Sequence, residues 1–434
     1  MSEDLPQGWV ESLIGDIAKV VGGGTPKTKD ESNFVDKDGI PWITPADLSG
    51  YKKIHISHGK RFLSQKGLDT SSATLMPEGT VLFSSRAPVG YVAIASNPVA
   101  TNQGFKSFVL KEGVNSKYVY YYLRNSKSIA EKLSSGTTFL ELSGKNAAKI
   151  PIKIPPFLEQ KRIADKLDCL LAKVDTCKAR LDKVPEIIKR FRQSVLADAT
   201  SGRLTEDWRN HKNIEYNWKR NTIENLIEGI RYGTSKKCSY DDSLTPVLRI
   251  PNISDHGIDK TDMKYADFNE RELESLSLKK GDLLLIRSNG SASLIGKVNI
   301  ISKDEEGFLY AGYLIRLRLK KEEILPEYLK IHMSSPKIRK QIEVGARSTS
   351  GVHNINSKEV CSIKVNLPEM DEQKEIVKRV ESLFSVASQM EEKLKRAQNG
   401  VDKLTASILV KAFRGELVPQ DINEEPADKM LEHI

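Results

Sequence analysis

Polar loops between apolar runs carry the residue types through which a protein can read DNA. Arginine pairs with guanine through two hydrogen bonds, asparagine and glutamine pair with adenine, and lysine holds phosphates. Serine and threonine can bond to either kind of base. On these grounds the candidate DNA-binding residues are Thr25, Lys27, Lys29, Ser84, Ser85, Arg86, Asn102, Gln103, Thr137, Thr138, Arg231, Tyr232, Lys236, Arg249, Asn252, Arg287, Ser288, Asn289, Ser291, Arg347, His353 and Asn354.

Ordinary turns offer a competing interpretation of these loops. Ser, Asn and Gly also cluster in turns that bind nothing, so any single loop has a purely structural explanation. The loops, however, recur at equivalent places in both halves of a chain whose net charge is +9 and whose isoelectric point is about 9.0. A basic chain favours a polyanionic partner, and we therefore predict double-stranded DNA.

The sequence lacks the motifs of a catalytic site. Gly290–Val298 has the wrong spacing for a P-loop and no hydroxyl after its lysine. Ile154–Phe157 resembles the proline-rich loop of amino-methyltransferases, but isoleucine stands where that loop needs a polar residue. His55 and His58 have metal-like spacing without a third ligand nearby. We therefore predict a binding protein, not an enzyme, with no metal and no cofactor of its own.

The composition is that of an ordinary globular protein. Of the 434 residues, 39% are hydrophobic and 29% are charged, and no apolar stretch reaches membrane-spanning length. The four cysteines are scattered without a Cys-x-x-Cys motif, which disfavours a disulfide framework or a zinc site and fits a reducing compartment. We expect a cytoplasmic location.

Residues 155–204 and 368–417 are two copies of one segment, aligned without a gap at an offset of 213. Only 12 of the 50 aligned pairs are identical, but ten consecutive positions stay apolar in both copies. Their spacing alternates between four and three residues, which is typical of a coiled-coil stripe. The main residues of this apolar seam are Ile163, Leu167, Leu170, Val174, Leu181, Ile188, Phe191, Val195, Ile376, Val380, Leu383, Met390, Leu394, Val401, Leu404 and Ile408.

The repeat extends to the rest of the chain, so each half reads as a mixed globular block followed by a helical arm. The predicted fold class is α+β, with two mixed α/β domains joined by two long, antiparallel, coiled-coil-like helical arms in a pseudo-two-fold internal repeat. Pro185 and Asn399–Gly400 predict a kink or a short break in each arm. The alternative is that each helix packs only on its own domain.

Within the blocks, β-rich runs alternate with turns, and helices are expected near 117–133 and 327–343. The predicted boundaries are 1–154 for the first block, 155–204 for the central helical region, 205–367 for the second block with a short linker at 205–217, 368–417 for the C-terminal helical region and 418–434 for a tail.

Several stretches resemble the specificity subunits of type I restriction–modification enzymes, and the likeness covers nearly the whole chain. They are Ile154–Ile163, Ile188–Leu196 and Leu409–Leu417, and the opening Leu5–Trp9 is also similar. The resemblance is strongest to the enterobacterial K-12-like subgroup. It implies that the two blocks are target recognition domains, each reading one half of a bipartite, asymmetric DNA site.

The resemblance also implies partners that supply the chemistry. Two modification subunits, which bind S-adenosylmethionine and methylate adenine, would dock on the helical arms. Restriction subunits would join them for ATP-dependent translocation and cleavage of DNA. S-Adenosylmethionine, ATP and Mg²⁺ would therefore be bound by partner subunits, while the arms of this chain set the spacer between the half-sites.

Other functions fit parts of the sequence. A coiled-coil scaffold would assemble proteins without reading DNA, and sequence-independent binding in the presence of modification subunits would favour it. A self-sufficient methyltransferase would bind S-adenosylmethionine as an isolated chain. A stand-alone DNA binder would need no partner, which an exposed apolar seam disfavours. For the preferred function, Arg287→Ala should relax or abolish recognition in one half-site alone.

Overall fold

The computed structural model describes residues 5–86, 88–136, 140–254, 257–345 and 352–433, together with the backbone of 347–349. The chain folds into two compact units. The first unit combines Met1–Leu181 with Ala397–Ile434, and the second unit is Asp182–Arg396. Each unit therefore contains one globular block and parts of both helical arms.

The first unit is built on two mixed sheets and a short pair of strands. Its strands are β1 (Val10–Leu13), β2 (Ala18–Gly22), β3 (Phe34–Val35), β4 (Ile40–Ile43), β5 (His55–Ile56), β6 (Arg61–Leu63), β7 (Val81–Ser85), β8 (Val89–Ala95), β9 (Ala100–Thr101), β10 (Lys106–Leu110) and β11 (Pro151–Ile154). The sheet orders are β2-β10-β7-β8-β5 and β3-β6-β4-β9, and β1 pairs with β11.

Helices pack against both sheets of the first unit, most of them against the larger one. They are α1 (Ile14–Ile17), α2 (Gln65–Asp69), α3 (Ser116–Asn125), α4 (Lys127–Leu133), α5 (Gly144–Ala147) and α6 (Phe157–Leu181). The side chains of Phe83, Phe108 and Tyr118 are fully buried where the sheet meets α3. Asn115 begins α3 by accepting a hydrogen bond from Tyr118 N with its side chain.

The second unit repeats this plan. Its strands are β12 (Lys219–Thr222), β13 (Ile227–Tyr232), β14 (Thr245–Leu248), β15 (Ile253–Ser254), β16 (Gly257–Ile258), β17 (Lys264–Ala266), β18 (Leu283–Ile286), β19 (Ser288–Asn289), β20 (Val298–Ile300), β21 (Leu309–Tyr310), β22 (Leu314–Leu319), β23 (Arg347–Thr349), β24 (Val352–Asn354) and β25 (Lys364–Leu367). The sheets run β13-β22-β18-β20, β17-β14-β21 and β19-β24-β23, with β12-β25 and β15-β16 as separate pairs.

The helices of the second unit occupy matching places in the sequence. They are α7 (Val184–Ser201), α8 (Glu206–Lys212), α9 (Ile223–Leu226), α10 (Glu270–Leu276), α11 (Pro326–Ser334), α12 (Pro336–Gly345) and α13 (Ser357–Cys361). The chain ends with α14 (Met370–Ala412) and α15 (Ala427–Glu432). Each helix expected near 117–133 and 327–343 is in fact two helices, divided at Ser126 and Ser335.

The internal duplication and the mixed α/β character of both blocks are confirmed by this comparison. The order β2-β10-β7-β8 corresponds to β13-β22-β18-β20, and β4-β9 corresponds to β14-β21. The terminal strands of each block also pair with one another, because Leu13 lies opposite Pro151 and Thr222 lies opposite Lys364. Both blocks thus return the chain to its starting point immediately before an arm.

The arm segments pack antiparallel within each unit. In the first unit, Lys178 Nζ lies 2.9 Å from Asp402 Oδ1. Arg162, earlier in α6, forms an ion pair beyond the end of α14. The second unit shows the same direction. Ser388 of α14 pairs with Arg192, with Arg192 Nη2 at 3.0 Å from Ser388 Oγ. Arg379, earlier in α14, pairs with the later residue Asp207, with Arg379 Nη1 at 2.6 Å from Asp207 Oδ1.

The seam residues are buried where the arm meets a globular block. Ile163, Leu167 and Val174 belong to the core of the first unit together with Ile408, and Val195, Ile376 and Val380 belong to that of the second. Ile188 is also buried. Leu170, Leu181, Leu383, Leu394 and Val401 are half-buried. The seam is open elsewhere, since Phe191, Met390 and Leu404 are 37%, 52% and 49% exposed.

The two arms differ at the predicted interruptions. In the first arm, α6 ends at Leu181 and α7 begins at Val184, so the chain breaks briefly with Pro185 in the first turn of the new helix. In the second arm α14 runs through Asn399–Gly400 without a break, so the short break predicted there is absent and a kink stays a prediction. A glycine costs a helix only about 1 kcal/mol, which neighbouring apolar contacts offset.

A buried glutamine fastens each arm to its block. Gln373 Oε1 accepts a hydrogen bond from Leu325 N at 2.9 Å, and Gln373 Nε2 donates to Pro368 O and Glu323 O, both at 3.0 Å. Its counterpart Gln160 makes the same bonds to the main chain of the first unit, at 2.9 Å to residue 115 and 3.0 Å to residue 155. Both glutamines are fully buried.

The glutamates beside these glutamines have opposite surroundings. Glu372 is buried with partners: it accepts from Thr205 Oγ1 at 2.7 Å and from Trp218 Nε1 at 2.9 Å, and it forms an ion pair with Arg209. Glu159 is 1% exposed, and one of its carboxylate oxygens has no partner among the described residues. Burial raises the pKa of Glu159 to about 7, from an ordinary value of 4.5.

Replacing Gln373 by leucine should lower the free energy of unfolding by about 1–3 kcal/mol, because Leu325 N and two carbonyls lose their partners in the interior. Denaturant unfolding followed by circular dichroism measures this loss. Gln193→Leu is the control, since Gln193 is exposed on α7. Equal losses in the two variants would contradict the fastening role.

Glu159→Gln should stabilise the chain increasingly as the pH rises from 5 to 8. In the folded state the Glu159 carboxyl has a pKa of about 7, whereas in the unfolded chain it has its ordinary pKa of 4.5. As the pH rises from 4.5 to 7, the unfolded chain ionises first and the wild type loses stability progressively. Glutamine does not ionise and escapes this loss. We expect a gain of about 1–3 kcal/mol at pH 8. Glu372→Gln should destabilise at pH 8 because it breaks a buried ion pair. A gain for Glu159→Gln that is the same at pH 5 and pH 8 would disprove the interpretation.

Candidate nucleic-acid interface

A three-stranded sheet in the second unit brings together candidates from distant parts of the sequence. Strand β19 pairs antiparallel with β24, so that Ser288 lies opposite Asn354 and Asn289 lies opposite His353. Strand β23 pairs with the other edge of β24. The candidates in this sheet or directly before it are Arg287, Ser288, Asn289, Arg347, His353 and Asn354.

Arg287 lies half-buried beside this sheet with its guanidinium over the ring of Tyr232. The Arg287 Cζ atom is 4.6 Å from the ring centroid, which is a cation–π distance. Tyr232 Oη accepts a hydrogen bond from Ser357 N at 2.8 Å, which fixes the ring. Arg287 Nη1 donates to Gly312 O at 3.4 Å, whereas Nε is shielded from solvent and has no partner within the described chain.

Main-chain hydrogen bonds place Arg287. Its N–H donates to Tyr313 O at 2.9 Å, and its carbonyl accepts from Ile355 N at 2.9 Å. Neither bond involves the side chain. These two main-chain bonds therefore hold the position whatever side chain it carries.

The first unit holds Ser85 by the same two bonds. Ser85 N donates to Gly104 O at 2.7 Å, and Leu142 N donates to Ser85 O at 2.9 Å. Leu142 and Ile355 are separated by the repeat offset of 213. Ser85 thus occupies in the first unit the place that Arg287 occupies in the second.

Glycines allow a second loop to pass close to this place in each unit. A Cβ atom at Gly23 would lie 1.8 Å from Asn102 O, and a Cβ atom at Gly233 would lie 2.1 Å from Tyr310 O. No other residue fits such an approach. The glycine turn that leads to Thr25 and Lys27 therefore serves close packing of two loops in the first unit.

Five predicted site residues carry a buried polar atom that has no partner among the described residues. The atoms are Thr25 Oγ1 and Ser85 Oγ in the first unit, and Arg249 Nε, Arg287 Nε and His353 Nδ1 in the second. Eight other residues carry such an atom as well, Trp9 and His332 among them. An unsatisfied buried polar group is costly, and a folded protein usually pairs such groups. Because these atoms are spread over the described chain, they do not by themselves mark a ligand site.

Some candidates serve the fold instead. Ser84 Oγ donates to Pro88 O at 2.7 Å, and Asn102 Oδ1 accepts from Gly104 N at 2.9 Å. Asn252 is 1% exposed, and main-chain groups at 2.8 to 3.1 Å occupy its amide. These hydrogen bonds lie inside the loops and stabilise them, and contact between these three side chains and DNA stays a prediction.

Arg231 projects from the opposite face of the sheet to Tyr232, because successive side chains on a strand alternate. Its Nη1 donates to Ser275 O at 2.9 Å, close to the end of α10. Arg231 is thus separated from the Arg287 cluster, and its contact stabilises the C-terminal end of a helix, which carries negative partial charge.

Two other predicted cations are paired with carboxylates. Lys236 Nζ lies 2.7 Å from Glu272 Oε2, and this hydrogen bond lowers the pKa of the Glu272 carboxyl. Arg249 Nη2 lies 2.7 Å from Asp262 Oδ2, and it lowers the pKa of Asp262 in the same way. A phosphate would compete with these carboxylates for each cation, so both residues are less ready for DNA than Arg287.

The remaining candidates lie at the surface or outside the description. Lys27, Lys29, Gln103 and Ser291 are exposed. Arg86 Nη1 is 3.9 Å from a carboxylate oxygen of a neighbouring glutamate. Thr137 and Thr138 lie outside the described residues, and Arg347 is described by its backbone alone.

Two tyrosines near these loops escaped the sequence prediction. Tyr313 is 61% exposed, and its carbonyl holds Arg287 N. Tyr240 is 69% exposed, with Lys264 Nζ at 4.7 Å from its ring centroid. The sequence did contain a signal for Tyr313. This aromatic residue directly follows Ala311–Gly312, in a turn where no apolar periodicity would place it in the core.

The described residues contain no group of three or more His, Cys, Asp or Glu side chains that could hold a metal ion. In the same part of the chain, no helix is both long enough and apolar enough to cross a membrane. Neither observation assigns a function, and the polar loops remain the candidate site.

Sequence comparison connects the chain to DNA specificity proteins. The model of the type I restriction modification DNA specificity domain matches residues 6–186 and again residues 216–397. The EcoKI specificity subunit of Escherichia coli K12 is 35% identical over 97% of this chain and 92% of its own length. The StySPI specificity subunit of Salmonella potsdam is 32% identical over the same shares.

Solved structures share the fold. A chain from a study of complex assembly and conformational transition of the type I R-M system superposes with a TM-score of 0.71 and 18% identity, covering 95% of this chain and 99% of that one. The HsdS subunit from Thermoanaerobacter tengcongensis gives a TM-score of 0.64 and 17% identity, covering 96% and 99%. With its domain matched twice and near-complete coverage of curated relatives, the chain belongs to the specificity subunits of type I restriction–modification systems, a family of DNA-recognition and not catalytic subunits.

Proposed function

We infer that this chain selects the DNA sequence on which a type I restriction–modification complex acts, and that each globular block reads one half of a bipartite, asymmetric site. The carrying observation is the match of the DNA specificity domain to residues 6–186 and again to residues 216–397, one match for each globular block. The polar loops of the blocks, at Thr25 in the first and at Arg287 and His353 in the second, offer side chains of the types that pair with base edges.

Two linked half-sites explain why the unit is present twice. A half-site of a few base pairs recurs too often in a genome to specify a rare DNA sequence. Once one block is bound, the other is held near its own half-site at a high effective concentration, so the two selectivities multiply. Different side chains on the shared loop scaffold, such as Ser85 and Arg287, make the two halves unlike.

The arms act as a ruler and as a docking surface in this proposal. A helix advances about 1.5 Å per residue and is stiff, so it can define the unspecified spacer between the half-sites. The exposed seam residues Phe191, Met390 and Leu404 give the arms an apolar surface for protein partners. We assign that surface to two modification subunits.

The partners supply every chemical step in the proposed complex, which operates in the cytoplasm. Modification subunits would bind S-adenosylmethionine and methylate adenine, and restriction subunits would use ATP and Mg²⁺ to translocate and cleave DNA. This chain contributes the binding free energy that distinguishes one sequence from all others. Its role is to position the partners, and its own side chains take part in no bond-making step.

Inserting four residues, about one helical turn, into the middle of both arms should lengthen the spacer and leave both half-sites unchanged. Genome-wide mapping of adenine methylation, in cells that carry the chain with its modification subunits, reads the half-sites and the spacer together. An equal insertion in the exposed loop at Tyr51–Lys53 is the control and should leave the spacer as it was.

An unchanged spacer in the arm variant would refute the ruler. Methylation that is the same with and without the chain, or methylation without sequence preference, would refute sequence reading and favour a scaffold. The wild-type motif obtained in this experiment also supplies the recognition sequence for the next test.

A further inference from the structure

The guanidinium of Arg287 is held in one orientation but has few hydrogen-bond partners. The group is stacked on Tyr232 at 4.6 Å, and Nη1 has a single long hydrogen bond of 3.4 Å to Gly312 O. Of the five N–H donors of an arginine, Nε is buried without an acceptor, and no ion pair engages the residue within the described chain. A charged fork held in this state gains most from a ligand with two adjacent acceptors.

We propose that the second unit reads a guanine through Arg287, and that Tyr232 is the positioning residue that orients the guanidinium. The proposal rests on the proposed function, because it names the base that this part of the chain recognises. Guanine presents N7 and O6 as neighbouring acceptors in the major groove, which match the arginine fork. Adenine presents a donor where guanine has O6, so the same fork rejects it.

A phosphate contact is the main alternative for an arginine, and the surroundings of Arg287 disfavour it. Ser288, Asn289 and Asn354 lie beside it in the sheet, and their amide and hydroxyl groups are those that discriminate bases. Phosphate contacts are commonly made by exposed, mobile cations such as Lys27 and Lys29 in the first unit. Arg287 is half-buried and stacked, so its fork has a defined direction.

Tyr232 acts through Arg287 and not through the DNA. Its hydroxyl is occupied by Ser357 N at 2.8 Å, and its ring lies against the guanidinium. The ring attracts the cation through its π face and limits the orientations of the side chain. The proposal thus gives Tyr232 a positioning role, where the sequence predicted a direct contact with DNA.

The first unit cannot read its half-site in this way. Ser85, its residue at the equivalent backbone position, has a short side chain with a single hydroxyl. The inference is therefore confined to one half-site, the one bound by the second unit.

The test uses the full chain assembled with its modification subunits and a duplex with the mapped recognition sequence. Each guanine in turn is replaced by 7-deazaguanine, which lacks the N7 acceptor, and the Kd is measured at fixed ionic strength. We expect one substitution, in one half-site only, to weaken wild-type binding on the order of 10- to 100-fold. The Arg287→Ala complex should bind natural DNA with at least this loss, because it gives up the O6 contact as well, and it should show no further loss at that 7-deazaguanine.

Companion variants separate orientation from charge. Arg287→Lys keeps the charge but not the fork, so it should lose the preference for guanine at that position. Tyr232→Phe keeps the ring and should retain most of the preference, whereas Tyr232→Leu should lose most of it. Arg271→Ala is the matched control, since Arg271 is exposed on α10 and should leave base preference unchanged. Thermal unfolding confirms that each variant is folded.

Three results would overturn the inference. One is insensitivity of the wild-type complex to 7-deazaguanine at every position. Another is an Arg287→Ala variant that binds cognate and scrambled duplexes with equal losses, which would make Arg287 a phosphate contact and leave the proposed function standing. The last is a wild-type complex that does not distinguish its mapped sequence from a scrambled duplex, which would refute the proposed function as well.

Discussion

The amide of one buried glutamine in each unit fastens a helical arm to the globular block that carries the polar loops. Gln160 and Gln373 join the start of an arm, the proline turn before it and the segment before a core helix through main-chain hydrogen bonds. Turning the arm away would leave several buried backbone groups without partners at once, which costs far more than one lost contact. The direction in which the arm leaves the block is therefore strongly constrained in each unit.

Sequence reasoning recovered the parts of the fold that depend on periodicity. The apolar seam and the duplication follow from spacing alone, since each is a pattern repeated at regular intervals. The uninterrupted passage of α14 through Gly400 could not be read in this way. A glycine penalty is small, and tertiary packing decides whether it breaks a helix.

The site was predicted as a set of loops but not as a set of side chains. Asn252 and Arg287 are both polar loop residues by sequence, yet one is occupied by three main-chain contacts and the other is left with an unsatisfied donor. The difference depends on which carbonyls and amides the distant chain places around each side chain. Residue type determines which hydrogen-bonding groups a side chain has, and the folded backbone determines which of these groups are already paired inside the protein.

The main-chain N–H and C=O groups of the position shared by Ser85 and Arg287 make the same two hydrogen bonds in both units. Because these bonds do not depend on the side chain, a serine in one unit and an arginine in the other occupy the same backbone, and a substitution there can alter recognition while the backbone bonds are kept. The same fold can in this way present different side chains at one fixed backbone position, as the two units of this chain already do.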